Sequence, residues 1–354
     1  MSVFLIAIVS VFLVLIAITY GLFKGQNLTP YDKPEGKTFG KGSTPCEEHD
    51  VVVASLQTSA REVQGLSQKE RLVVMRENMD SMSDGIEFSS SFTPVNAGGV
   101  AAEWVVAPGA DPKRRLLYIH GGAFSMGSPK SHRTITNKYS EIAKAAVLAI
   151  DYRLMPEHSR KSGIQDCRDA YQWMLENGPD GASTADKVWV SGDSAGGNLT
   201  LQLIAWIRDK GIRQVDAAIA LSPTTDATYC SPSIKNNHGS DPMLGPLFGK
   251  LAKAPQFLIL WFSFLGQRIV PSSPLVSPVF GDLSNLPPTL VHASRAEVLF
   301  DDAKRYVNKA VAAGSPVKLQ GWEHMVHVWH IFYPKLDGAR EAWDEIERFI
   351  AELD

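Results

Sequence analysis

Gly192-Asp193-Ser194-Ala195-Gly196 sets a serine between two glycines in a G-x-S-x-G arrangement. The pentapeptide follows the apolar run Val188–Ser191 and precedes a helical run opening at Gly197-Asn198, which is the strand-to-helix context the motif needs. A sharp turn there forces the serine into a strained conformation, and the flanking glycines keep the neighbouring chain from clashing. The hydroxyl of Ser194 then stands exposed at a helix N-terminus, whose dipole favours developing negative charge. Such a serine attacks carbonyl carbon, and two further groups are required for that chemistry. One must take the hydroxyl proton and one must hold the oxyanion.

His120-Gly121-Gly122-Ala123-Phe124 follows the run Leu116–Ile119, upstream of the serine. Consecutive glycines let main-chain N–H groups turn towards one point, so Gly121 and Gly122 are the expected oxyanion donors, completed by the N–H of Ala195. The base should be a histidine near the end of a late strand. His324, His327 and His330 cluster after Val317–Gln320; His327 is preferred, with His324 as its rival and His330 as a packing or capping residue. Spacing of three also suits metal ligands on a helix, but no carboxylate or cysteine pattern completes such a site, and no cofactor is expected. The acid that orients the histidine should follow Thr289–Ala293, where the loop offers Glu297, Asp301 and Asp302. Glu297 is nearest the strand end. Asp301, its main competitor, immediately precedes a helical run, where carboxylates commonly act as caps.

These residues need a scaffold, and the sequence supplies one. Leu116–Ile119, Ala146–Asp151, Val188–Ser191, Ala217–Leu221, Thr289–Ala293 and Val317–Gln320 read as strands, mostly as unbroken apolar runs. Helical patterns lie between them at Tyr139–Ala145, Asp166–Glu176, Asn198–Arg208, Asp302–Ala313 and Ala339–Leu353. Alternation of this kind predicts an α/β fold with a mostly parallel central sheet flanked by helices. Between Ser222 and Leu286 the rhythm breaks into a long insertion containing the apolar run Phe257–Leu265, read either as a buried helix or as one whose aromatic face meets lipid.

A net charge of -3 in 354 residues leaves no cationic surplus for a phosphate backbone, which argues against nucleic acid as a partner. Cys46, Cys167 and Cys230 form no C-x-x-C pair, and no disulfide framework is expected. Val3–Phe23 carries no charged side chain and is long enough, as one helix, to cross a bilayer. Residues 1–24 are therefore expected to be a single-pass transmembrane anchor, residues 25–44 a linker, and the lysines that follow lean the remainder towards the cytosolic side.

HGGAF at His120, GDSAGG at Gly192 and DYRLMPEH at Asp151 together resemble the hormone-sensitive-lipase-like branch of the α/β-hydrolases, which includes arylacetamide-deacetylase-like members with a single N-terminal span. The resemblance runs from about Val100 to the C-terminus. It implies an acid in a D-x-L-x-D-like stretch, here Glu297-Val298-Leu299-Phe300-Asp301, and a base in an H-x-F-like stretch, here His327-Val328-Trp329. The acid position holds Glu, and Ala123 replaces the third glycine of the common HGGG. The family fold further implies a helical cap made of residues 45–95 and an insertion at about 224–271 in a catalytic domain spanning 96–354. The implied activity is cleavage of carboxylic esters with short- to medium-chain acyl groups through an acyl-enzyme. Phospholipids, other lipids or aryl amides are alternative substrates, a non-catalytic receptor on the same fold is the rival from another class, and a homodimer is compatible with the resemblance.

Overall fold

The apolar runs pair side by side in the computed structural model, which describes residues 3–40, 42 and 44–354. In chain order its main sheet comprises β1 (Lys37–Phe39), β2 (Ser91–Ala97), β3 (Val100–Val106), β4 (Asp111–Ile119), β5 (Ala145–Ile150), β6 (Lys187–Asp193), β7 (Ala217–Leu221), β8 (Thr289–Ser294) and β9 (Val317–Trp322). They lie in the order β1-β9-β8-β7-β6-β4-β5-β3-β2. β3 is antiparallel to both β2 and β5, and the other pairings are parallel. Every residue of β5 and of β7 is buried, as expected of strands covered on both faces.

Helices α5 (Arg160–Glu176), α6 (Ala195–Lys210) and α10 (Phe300–Ala312) pack on one face through Ile164, Leu203 and Ala303, among others. Helices α4 (Arg133–Ala143) and α11 (Asp337–Ala351) cover the other face through Tyr139, Trp343 and Ile346. Because β4, β6, β7, β8 and β9 run parallel, their carboxyl ends share one edge of the sheet, with neighbouring strands about 4.8 Å apart. Residues that follow those five strands are thereby gathered together.

Two helices, α2 (Glu47–Glu62) and α3 (Gln68–Ser81), lie between β1 and β2, and α7 (Pro232–Asn236), α8 (Gly245–Leu251) and α9 (Gln256–Gln267) fill the interval between β7 and β8. α3 is held by a capping box between Ser67 and Glu70, and its Arg76 donates to the carbonyls of Ser125 and Met155 beside the β4 loop. α9 buries Ile259, Leu260 and Ser263, whereas Phe257, Leu258, Phe262 and Leu265 face outward.

Three expectations are corrected. The N-terminal apolar segment does not form a spanning helix: α1 (Val3–Ala17) has 15 residues, and about 22 Å of helix falls short of a hydrocarbon core of roughly 30 Å. Its continuation, Ile18–Phe23, is a π-helix that packs on α9. There Trp261 donates to Thr19 Oγ1 at 2.9 Å, and the buried Phe23 ring meets those of Trp261 and Phe264 at 5.0 and 4.9 Å. Among the described residues no helix is long and apolar enough to cross a membrane, which overturns the single-pass location and the cytosolic lean drawn from it. Second, the stretch read as a linker carries β1, which joins the edge of the sheet. Third, β2 starts at Ser91, inside the segment 45–95 assigned to the cap.

Candidate active site

Ser194 sits between β6 and α6 with φ 51° and ψ −114°, a left-handed backbone that L-residues adopt only under constraint. The constraint is visible on both sides. Its N–H donates to Leu221 O at 2.7 Å, and its carbonyl accepts from Asn198 N at 3.1 Å as the helix begins. Two glycines permit the approach. A Cβ on Gly196 would lie 1.8 Å from Ile119 O, and one on Gly192 would lie 2.5 Å from the same atom, so β4 and the start of α6 touch backbone to backbone.

Next to the serine, Asp193 is buried and organises the β4 loop. Its Oδ1 accepts from Tyr118 Oη at 2.5 Å and from Gly121 N at 2.9 Å, while His132 Nε2 stands 3.4 Å from Oδ2. Burial alone would raise this carboxyl, but the charge and hydrogen bond of His132 hold it below the usual carboxylate range. Burial would likewise lower His132, and Asp193 raises it instead. His120 stacks on Tyr152 and is pushed down to about 3 by burial and by His132, which leaves its ring a weak base.

This arrangement corrects the assignment of Gly121. Its N–H is spent on Asp193, a structural bond, and is not open to a substrate. Gly122, Ala123 and Phe124 follow with φ of 108°, 53° and 61°, three consecutive left-handed residues. Among the described residues no protein acceptor takes the N–H of Gly122 or Ala123. The N–H of Ala195 belongs to the unpaired first turn of α6. Ala123 adopts the conformation a third glycine would favour, despite its Cβ.

The loops after β8 and β9 bring Glu297 and His327 together. His327 Nδ1 lies 2.5 Å from Glu297 Oε2, and the other carboxylate oxygen accepts from Ser294 N at 2.8 Å. Both side chains are buried. Burial would lower the imidazole pKa, but the hydrogen bond and charge of Glu297 raise it, with smaller contributions from Asp241 and Asp193. The His327 loop is tied to the Ser194 turn through one strand end: Val328 N donates to Ser222 Oγ at 3.2 Å, one residue after the Leu221 carbonyl that holds Ser194.

The competing residues lie elsewhere. Asp301 pairs with Lys304 at 2.6 Å and accepts from Ser233 N at 2.8 Å in the first turn of α10. Asp302 accepts from the N–H groups of Thr225 and Asp226 and is pushed up to about 7 by burial and by the Asp226 charge. His324 lies against His49 of α2. His330 is buried, 3.0 Å from His292 Nδ1, and its pKa is driven well below the imidazole range by burial and by His292. The three histidines therefore face three different neighbourhoods rather than one ion.

Sequence reasoning missed the Asp193–His132 pair and Asp241. Asp241 caps the turn before α8 and accepts from Val298 N at 3.0 Å, bracing the residue after Glu297. Each interaction bridges segments far apart in the chain, so spacing carries no trace of it.

Residues 116–331 match a family model described as alpha/beta hydrolase fold. An acetyl-hydrolase of Streptomyces hygroscopicus is 35% identical over 257 residues, covering 72% of this chain and 81% of the relative. A carboxylesterase/phospholipase, LipF, of Mycobacterium tuberculosis is 34% identical over 265 residues, covering 73% and 68% respectively. Among solved structures, an esterase from the bacterial hormone-sensitive lipase (HSL) family superposes with a TM-score of 0.75 at 29% identity, covering 88% of this chain and 99% of that one.

Proposed function

Because the chain belongs to the α/β-hydrolase family, in its hormone-sensitive-lipase-like branch, and is a carboxylic ester hydrolase, we propose that Ser194, His327 and Glu297 are its catalytic triad. The reading is carried by one observation: a buried Glu297–His327 pair hangs from the same strand end that holds the strained Ser194. In this account His327 Nε2 takes the Ser194 proton as Oγ attacks the ester carbonyl. The proton then passes to the leaving alcohol, and water releases the acyl group by the same route in reverse order. Glu297 fixes the Nδ1–H tautomer and stabilises the imidazolium. The N–H groups of Gly122 and Ala195, joined by Ala123 in place of Gly121, receive the oxyanion; one such donor is worth about 3 kcal/mol in the transition state.

The substrates we propose are esters with acyl groups from acetyl to medium chain, supported by the relative named acetyl-hydrolase. A second reading, phospholipid cleavage by the same triad, is favoured by the relative named carboxylesterase/phospholipase. The cap over the carboxyl edge is assigned to α2 and α3 with α7, α8 and α9. In its support, Arg76 reaches the β4 loop and Ser233 donates to Val298 O beside the acid. Replacing Ser194→Ala is expected to lower kcat on p-nitrophenyl butyrate by on the order of 10⁴-fold or more. A variant that hydrolyses the ester at the parent rate removes Ser194 from the mechanism.

A further inference from the structure

Tyr31–Phe39 lies well before the 116–331 segment matched by the family model and contributes no group to the chemistry, yet it touches both loops that carry the acid and the base. We propose that this segment is a positioning strap for the Glu297–His327 pair, with Glu35 and Phe39 as its working residues; the proposal rests on the triad reading above.

The strap is fastened along its length. Asp32 accepts from Arg305 Nε at 2.6 Å, and Asn308 of α10 donates to the carbonyls of Tyr31 and Pro34 at 2.8 and 2.9 Å. Gly36 crosses β9 so closely that a Cβ would lie 2.8 Å from Leu319 O, and its φ of +77° turns the chain into β1. β1 then pairs in parallel with β9, Lys37 opposite Gln320 and Phe39 opposite Trp322.

Two contacts reach the catalytic loops. Glu35 lies 3.2 Å from Arg295 Nη1, close as an ion pair though not aligned as a hydrogen bond, and 3.7 Å from Lys304 Nζ. Arg295 is two residues before Glu297; its Nε meets Glu323 at 3.1 Å and its N–H donates to Trp322 O at 2.7 Å, joining the acid loop to the base loop. Phe39 stacks on Trp322 at 4.3 Å and 6°, and its carbonyl accepts from Glu323 N at 3.2 Å where the base loop departs. Ser294 completes the brace, its N–H on Glu297 Oε1 and its hydroxyl donating to Met325 O at 2.5 Å. The strap therefore bears on both ends of the acid–base hydrogen bond, through Arg295 on the acid side and through Trp322 and Glu323 on the base side.

A purely structural role makes a different prediction. Ion pairs as exposed as Glu35–Arg295, with side chains 31% and 25% accessible, contribute little to stability. Removing one should then leave kinetics untouched. If the strap positions the pair, Glu35→Gln and Phe39→Ala in the full chain each lower kcat on p-nitrophenyl butyrate by on the order of tenfold, because small misplacements are costly at a reacting centre. KM stays near the parent value, and Glu35→Asp recovers most of the loss. The acid limb of kcat/KM also moves to lower pH, because His327 loses part of the support of Glu297; Asp241, Asp193 and His330, its other titratable neighbours, are left in place. A parent-like kcat and an unmoved limb in both variants overturn the proposal, whatever happens to the melting temperature. Ser194→Ala measured alongside separates the two claims: an active Ser194→Ala protein defeats the triad reading, whereas an inactive one beside parent-like strap variants defeats the strap alone.

Discussion

At the residue scale, the decisive balance is the one around His327. Burial pulls its pKa down and Glu297 pushes it up, and Glu297 prevails. A base must be neutral to accept a proton, so activity should fall as pH drops through a value above the usual imidazole figure of about 6.5. In Glu297→Gln the carboxylate charge is gone, and only the smaller contributions of Asp241 and Asp193 oppose burial. The limb should then move to lower pH while kcat falls by on the order of 10⁴-fold, because the amide no longer stabilises the imidazolium. A kcat/KM profile with its limb where the parent has it would show that Glu297 is not the partner. Ser194, Glu297 and His327 could be proposed from the chain because each follows an apolar strand in the required order. Gly121 was misread for a physical reason: glycine freedom allows a donor to turn, but which N–H stays open depends on Asp193, 72 positions away.

At the element scale, the elbow works only because β4 and α6 meet without side chains between them. Gly196→Ala would place a Cβ 1.8 Å from a backbone oxygen of β4, where no rotamer relieves the contact. Destabilisation of roughly 4 kcal/mol or more is expected. Gly211→Ala, at the other end of the same helix, has φ +62° with open space around it and should cost only about 1 kcal/mol. Urea denaturation of the two variants tests the contrast, and equal midpoints would contradict it. The parallel strands were readable because burial on both faces leaves an unbroken apolar run. β1 escaped because three residues, Lys-Thr-Phe, carry no periodicity and pair only by virtue of an edge that β9 leaves open. The N-terminal apolar run misled for the opposite reason. Hydropathy does not fix the length of a helix: α1 ends at Ala17, and the π-helix that follows sets Thr19 and Phe23 against α9.

At the scale of the whole molecule, topology is what converts scattered motifs into one site. Ser194, Glu297, His327 and the loop that follows β4 span residues 121 to 327 of the sequence. The loops that carry them share one edge of the sheet because β4, β6, β7, β8 and β9 are neighbours pointing the same way. Alternating strands and helices made that convergence foreseeable. Phe257–Leu265 read as helical from its own pattern, whereas placing such helices as a cap rests on family resemblance, since their contacts depend on how a long insertion folds back. Everything proposed for this site requires that Ser194 become covalently acylated, and mass analysis after exposure to a fluorophosphonate reads that step directly. One phosphonyl group per chain is expected, on the peptide containing Ser194, and none on Ser194→Ala. An unmodified parent that still hydrolyses ester, or an adduct on a different serine, would contradict it.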